Sequence, residues 1–158
     1  IAIESFTQKH PRVRVELRDL SSTEMLDGLQ NGGLDVVVCV APKKALPDLH
    51  WETVQQQHWR VAMNRNHELA SKKSIKAADL NEQNLVVFCK DGYPEYWTTV
   101  SAWFREQGIN ARIAAECDGV TSLVSAVEAG LGAALTVEGL GRLFGGGLFL
   151  IPTLSQRM

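Results

Sequence analysis

Ser21, Ser22 and Thr23 form a run of hydroxyls directly before the apolar stripe Met25, Leu26 and Leu29, and Thr121 and Ser122 stand in the same way before Leu123, Val124 and Val127. A hydroxyl at a helix start either caps the helix or joins its free backbone N–H groups in holding a ligand. The second use suits an anion, because the helix dipole favours negative charge at that end. A carboxylate or other small acid is the ligand class this pattern points to, and Gly119 adds a further backbone N–H. Asp118 beside it either caps its helix or rejects a second carboxylate. The run Asp91-Gly92-Tyr93-Pro94-Glu95-Tyr96-Trp97 opens another helix. Tyr93 and Tyr96 could wall a pocket and orient a polar ligand there, or pack into a core. Trp97, Val100, Trp103 and Phe104 recur at helical spacing and read as core.

Chemistry beyond binding finds little support. His10, His50, His58 and His67 lie in unlike contexts, and the chain has no G-x-S-x-G elbow, no phosphate-binding glycine loop and no H-E-x-x-H. The expectation is a binding protein rather than an enzyme, with no cofactor and no metal. Its 158 residues are 45% hydrophobic and 22% charged, which suits one domain or two small lobes. With 16 Lys and Arg against 18 Asp and Glu, the formal charge of −2 gives no field that would hold nucleic acid. The longest apolar runs, such as 35–41, fall far short of the roughly 20 residues that cross a bilayer. Cys39, Cys89 and Cys117 make an odd set without C-x-x-C spacing, as expected for reduced thiols in a cytoplasm. The chain opens at Ile1 inside an amphipathic pattern, which reads as part of a longer protein.

The elements that must position these residues follow from periodicity. Ile1, Ile3 and Phe6 mark a first helix that His10-Pro11 stops, because a residue before proline avoids the helical region. Residues 12–18 alternate as a half-buried strand, with Val13, Val15 and Leu17 on one face. Ser21 to Glu24 has capping-box spacing for a second helix, which Gly32-Gly33 ends. Residues 34–40 form a continuous apolar run, predicting a parallel strand covered on both faces. Leu49 to Met63 is strand-like, broken at Gln55 to His58. A helical turn at 75–80, a strand at 85–89, a helix at 94–107, a strand at 111–117, a helix at 121–128 and a strand at 133–137 follow. Gly145-Gly146-Gly147 is a turn before a last strand at 148–151.

A repeat decides the architecture. Phe6 and Phe104, Arg14 and Arg112, Thr23 and Thr121, Met25 and Leu123, Leu29 and Val127, and Gly32 and Gly130 are each 98 positions apart. Two similar lobes explain that register better than chance does. The chain should cross between them near Gln55 to Trp59 and return after Val137, making a hinge. Lobe I is then 1–57 with 145–158, and lobe II is 58–144. The strand at 85–89 that precedes the second copy has no counterpart before Ile1. Ligands of open α/β sheets bind at the carboxyl ends of strands, so the cleft between the lobes is the expected site.

The ordered pieces Phe6-x4-Pro11-x-Val13-x-Val15-x-Leu17 and Ser21-Ser22-Thr23-x-Met25-Leu26-x2-Leu29-x2-Gly32-x-Leu34-Asp35 resemble the effector domain of LysR-type transcriptional regulators. His67-x-Leu69-Ala70, Ala78-x-Leu80 and Ser122-Leu123-Val124-x-Ala126-Val127-x-Ala129-Gly130-x-Gly132-x-Ala134-Leu135 continue in that family's order. The resemblance implies an α/β, two-lobed, periplasmic-binding-protein-like fold of type 2. Each lobe would be a small mixed sheet flanked by helices, with two hinge crossings. It also implies a small inducer in the cleft and, in the full protein, an N-terminal helix-turn-helix that binds DNA. The family's pocket maps onto Ser21, Ser22 and Thr23, onto Tyr93, Pro94, Glu95 and Tyr96, and onto Asp118, Gly119, Thr121 and Ser122. Val40 holds a pocket position where aromatic-acid sensors can carry arginine, which makes a dicarboxylate less secure. Members assemble as dimers or tetramers, and the face with Ile1, Ala2 and Ser5 is the expected contact. The family's first strand would precede Ile1, and its last strand and helix are cut short at Met158. A transport solute-binding protein of the same fold is the alternative.

Overall fold

A computed structural model describes residues 2–40, 46–142 and 148–152. Helix α1 (Ala2–Lys9) and helix α2 (Ser22–Gln30) come first. Strand β1 (Trp59–Asn64), a 3-10 turn (Ala77–Leu80), strand β2 (Asn84–Phe88), helix α3 (Pro94–Gln107) and strand β3 (Arg112–Cys117) follow. Helix α4 (Val120–Glu128), strand β4 (Ala134–Val137), a 3-10 turn (Glu138–Arg142) and strand β5 (Leu148–Pro152) complete the order.

β1 lies between β4 and β5 and is antiparallel to both, while β2 and β3 pair in parallel. A bridge from Leu85 to Ala133 joins the two sheets. There the Val86 N–H donates to Ala133 O at 2.8 Å and the Ala133 N–H to Asn84 O at 2.9 Å. Gly132 permits this approach, since a Cβ on it would stand 2.4 Å from Asn84 O. Alternate residues of the buried strands feed two cores. Val61, Met63, Leu85, Val87 and Leu135 meet Val100 and Trp103 of α3, whereas Ala62, Val86, Phe88 and Ala134 meet Leu123 and Val127 of α4.

The repeat is visible as geometry. Helices α2 and α4 span 22–30 and 120–128, in the register of 98, and Gly32 and Gly130 behind them take φ of 73° and 79°. Left-handed backbone of this kind is where glycine has no Cβ penalty, so both helices stop at the same step.

Three expectations need correction. Residues 12–18 and 34–40 are not strands, and no strand among the described residues pairs with either. Extended chain without a ladder cannot bury its alternate side chains. Leu17 is accordingly 72% exposed, Val36 79%, Val38 74% and Val40 63%. Of the strand-like stretch 49–63, only 59–63 pairs, within a strand that runs on to Asn64. Residues 148–152 pair with β1 from Arg60↔Pro152 to Asn64↔Leu148, which gives the backbone groups on the second edge of β1 their partners. Ile1, the turn 145–147 and Met158 lie outside the described residues.

The chain passes twice through the expected crossing region. The Glu138 N–H donates to His58 O and the Gly139 N–H to Gln57 Oε1, each at 2.9 Å. Arg60 reaches Glu138 at 3.1 Å beside them.

Candidate functional site

The start of α2 is a closed capping box. Ser21 takes extended backbone, its N–H donates to Glu24 Oε2 at 2.8 Å, its hydroxyl donates to the same oxygen at 2.7 Å, and the Glu24 N–H donates back to Ser21 Oγ. The backbone and hydroxyl donors of Ser21 hold the Glu24 carboxyl below its ordinary range. Thr23 points elsewhere. Its hydroxyl donates to Asp91 O at 2.7 Å and its N–H to Gly92 O at 3.2 Å, tying α2 to the loop after β2.

At the start of α4, the Gly119 N–H donates to Ser122 Oγ at 3.2 Å, and the Ser122 hydroxyl donates to Asp118 Oδ1 at 2.8 Å. The Tyr93 hydroxyl approaches Asp118 O at 3.4 Å, and its ring stacks 4.4 Å from Phe88. Burial raises the Tyr93 phenol above its ordinary value, and the charges of Asp19, Glu24 and Asp118 push the same way.

Between these two helix starts lies a cavity of about 530 Å³. Asp19, Leu20, Ser21 and Glu24 line one side. Tyr93, Asp118, Gly119, Thr121, Ser122 and Ser125 line the other. The size suits a small molecule. Three lining residues are carboxylates and none is Lys, Arg or His.

Six residues expected from the sequence therefore meet here: Ser21, Tyr93, Asp118, Gly119, Thr121 and Ser122. Six others do not line the cavity. Ser22 lies in the first turn of α2, Thr23 is spent on the loop, and Val40 is exposed on unpaired chain. Pro94 and Glu95 sit in the first turn of α3. Tyr96 packs edge-on against Phe88 and near Trp59, with its hydroxyl buried and lacking a hydrogen-bond partner among the described residues. Burial also pushes that phenol up. Sequence reading missed Asp19, Leu20, Glu24 and Ser125. Two signals were available: Ser125 lies one helical turn past Thr121, and Asp19 and Leu20 immediately precede the cap. Cys117 is buried and its thiol is pushed up, which disfavours the thiolate that oxidants attack.

The family model described as the LysR substrate binding domain matches residues 2–152. The chain belongs to that family. Its relatives include the HTH-type transcriptional regulator AlsR of Bacillus subtilis, 26% identical over 142 residues, which cover 90% of this chain and 47% of AlsR. BudR of Raoultella terrigena, also an HTH-type transcriptional regulator, is 22% identical over 85% of this chain and 47% of its own. The chain thus spans about half the length of the curated relatives it matches. Among solved structures, the CcmR regulatory domain of Synechocystis PCC6803 in complex with 2-PG superposes with a TM-score of 0.82 at 21% identity, covering 98% of this chain and 74% of that one. The effector-binding domain of QuiR in complex with shikimate gives 0.80 at 17%, covering 99% and 74%. Full-length CbnR complexed with its target DNA gives 0.76 at 22%, covering 98% and 54%. The fold of this LysR-family domain is the two-lobed type 2 periplasmic-binding-protein-like fold, although its first-lobe segments carry no paired strands among the described residues.

Proposed function

We propose that the cleft between the starts of α2 and α4 receives a small polar effector, and that its occupancy shifts the contact between the 2–40 segment and the sheet region. The observation that supports this is the cavity of about 530 Å³ bounded by both copies of the repeat and bridged at Thr23. A ligand that prefers one lobe arrangement shifts the population toward it by its difference in affinity, and no other source of energy is needed. In the complete protein the arrangement would be read out by a DNA-binding segment in the cytoplasm and by subunit geometry, as suits relatives named as HTH-type regulators. The contact between subunits would be made by α1, on the face that carries Ala2 and Ser5. A strict monomer at micromolar concentration would remove that assignment. The transport reading draws no support from relatives that are transcriptional regulators.

2-PG and shikimate on the neighbours would bring a small acid to this cleft as well, in line with the two hydroxyl-rich helix starts. The test of the site is a titration with candidate metabolites followed by amide NMR. Shifts concentrated at Gly92, Gly119 and Thr121 are expected, and a saturating ligand that moves only residues away from this cavity would overturn the assignment.

A further inference from the structure

The 2–40 segment is not fixed to the sheet region by a shared core. No side chain of 2–40 enters either described core, and no residue of α2 is buried. Hydrogen bonds from Thr23 join the two. Its hydroxyl donates to Asp91 O at 2.7 Å and stands 3.4 Å from Gly92 O, and its N–H donates to Gly92 O at 3.2 Å. The two backbones come this close because residue 92 has no side chain: a Cβ there would stand 3.2 Å from Ser21 Cβ.

An apolar core holds through many contacts at once, whereas a single hydrogen bond at the surface biases an equilibrium by only about fivefold. A contact of this kind opens and closes while the elements on either side stay folded. Its position gives the opening a consequence. Tyr93 follows Gly92 directly, lines the cavity and directs its hydroxyl at Asp118 O, so the loop that Thr23 grips carries part of the cavity wall. Ser21 and Glu24, on either side of Thr23, line the same cavity. The two chain crossings are tied separately, by the Glu138 N–H to His58 O and the Gly139 N–H to Gln57 Oε1.

We propose that Thr23 and the Asp91-Gly92 loop form a releasable latch that sets the resting arrangement of the cleft. Closed, it keeps α2 against the loop that carries Tyr93; released, α2 moves off while the crossings stay joined. An effector shifts the balance only by its difference in affinity for the two arrangements, so the latch fixes the population from which it works. This rests on the reading that the cleft is the effector site, and it adds the contact that regulates that site.

Hydrogen exchange at residue 23 and residual dipolar couplings of the α2 amides, both measured on the full chain, read the latch. Thr23→Val removes the hydroxyl, and the amide of residue 23 should then exchange about fivefold faster after correction for intrinsic rates. The Met25 amide, which donates to Ser21 O inside the helix, should not change. Thr23→Ser retains the hydroxyl and should keep the wild-type rate. Gly92→Ala should turn the α2 couplings away from their wild-type orientation relative to β1 and β2. Should Gly92→Ala fail to fold, the two Thr23 variants decide alone. Unchanged exchange in Thr23→Val would overturn the latch, as would fast exchange in Thr23→Ser or a wild-type orientation of α2 in folded Gly92→Ala. Equal acceleration at Met25 would mean that α2 unravels instead of releasing, and would overturn it too. Each of these failures leaves the cleft standing as the effector site, which the metabolite titration decides.

Discussion

The hydroxyl of Thr23 donates to the backbone oxygen of Asp91 at 2.7 Å, so the first turn of α2 is held against the loop that follows β2. From its place in the hydroxyl run, the sequence offers Thr23 as a ligand contact. In the structure that hydroxyl donates across segments 68 positions apart, and so acts as a latch between them. Thr23→Val deletes one partly exposed hydrogen bond and keeps the N–H to Gly92 O, so a stability loss of about 1 kcal/mol is expected in denaturant melts. Effector affinity should change only as far as the latch sets the arrangement of the cleft. A loss of stability beyond about 3 kcal/mol would show that Thr23 does more than latch.

Gly92 is the other half of that contact. A Cβ there would stand 3.0 Å from Cys89 Sγ and 3.2 Å from Ser21 Cβ, tighter than side chains normally tolerate. Gly92→Ala should force the loop away from α2, speeding hydrogen exchange at the Thr23 amide. Gly119 provides the control, since a Cβ on it meets nothing within 4 Å. Its φ of −166° is ordinary extended backbone, so Gly119→Ala should cost only about 0.5 kcal/mol, through the poorer helix-capping tendency of alanine. Equal exchange rates at Thr23 in the two variants would contradict the close approach.

The helices were legible in the sequence and the first-lobe strands were not, for a physical reason. The limits of α2 and α4 are written locally, in Ser21 with Glu24 and in Gly32 and Gly130, whose signals lie within a turn of the boundary they set. A strand depends on a partner that may lie anywhere. Val36 and Val38 have the composition of a covered strand, yet no ladder among the described residues covers them. The same limit holds for β5: Leu148 to Pro152 is apolar enough for a strand in many places, and only the edge of β1 gives it a partner. In the cavity lining, the hydroxyls and Asp118 stood out in the sequence, whereas Asp19 and Glu24 did not. Glu24 reads as a cap because it is one, and its second role as lining follows only from the fold.

Glu24 also gives the domain an acid limb. Its carboxyl is depressed by the Ser21 N–H and hydroxyl, below an ordinary value of 4.5. A depressed acid contributes stability above its unfolded pKa and loses it as pH falls through the folded one. Asp79 acts in the same sense, held down by its hydrogen bonds to Lys72 and to the Lys76 N–H. The melting temperature should therefore fall as pH drops below about 4.5, and Glu24→Gln should flatten part of that slope. An identical acid limb in wild type and Glu24→Gln would remove Glu24 from this account.

Two buried positions should respond in opposite directions. Leu123 is fully buried where α4 meets the sheet, packed with Val86 and Ala134, and Leu123→Ala should cost about 2–5 kcal/mol through lost burial and a residual cavity. Thr136 on β4 is equally enclosed, but its hydroxyl meets no hydrogen-bond partner among the described residues. Desolvating a hydroxyl without a partner costs about 1–3 kcal/mol, and valine has nearly the same shape without that polar atom. Thr136→Val should hold or raise the denaturation midpoint while leaving the cleft unchanged, because Thr136 pairs with Arg60 away from the cavity lining. A marked loss of stability in Thr136→Val would mean that the hydroxyl has a partner after all, such as a buried water, and that β4 depends on it.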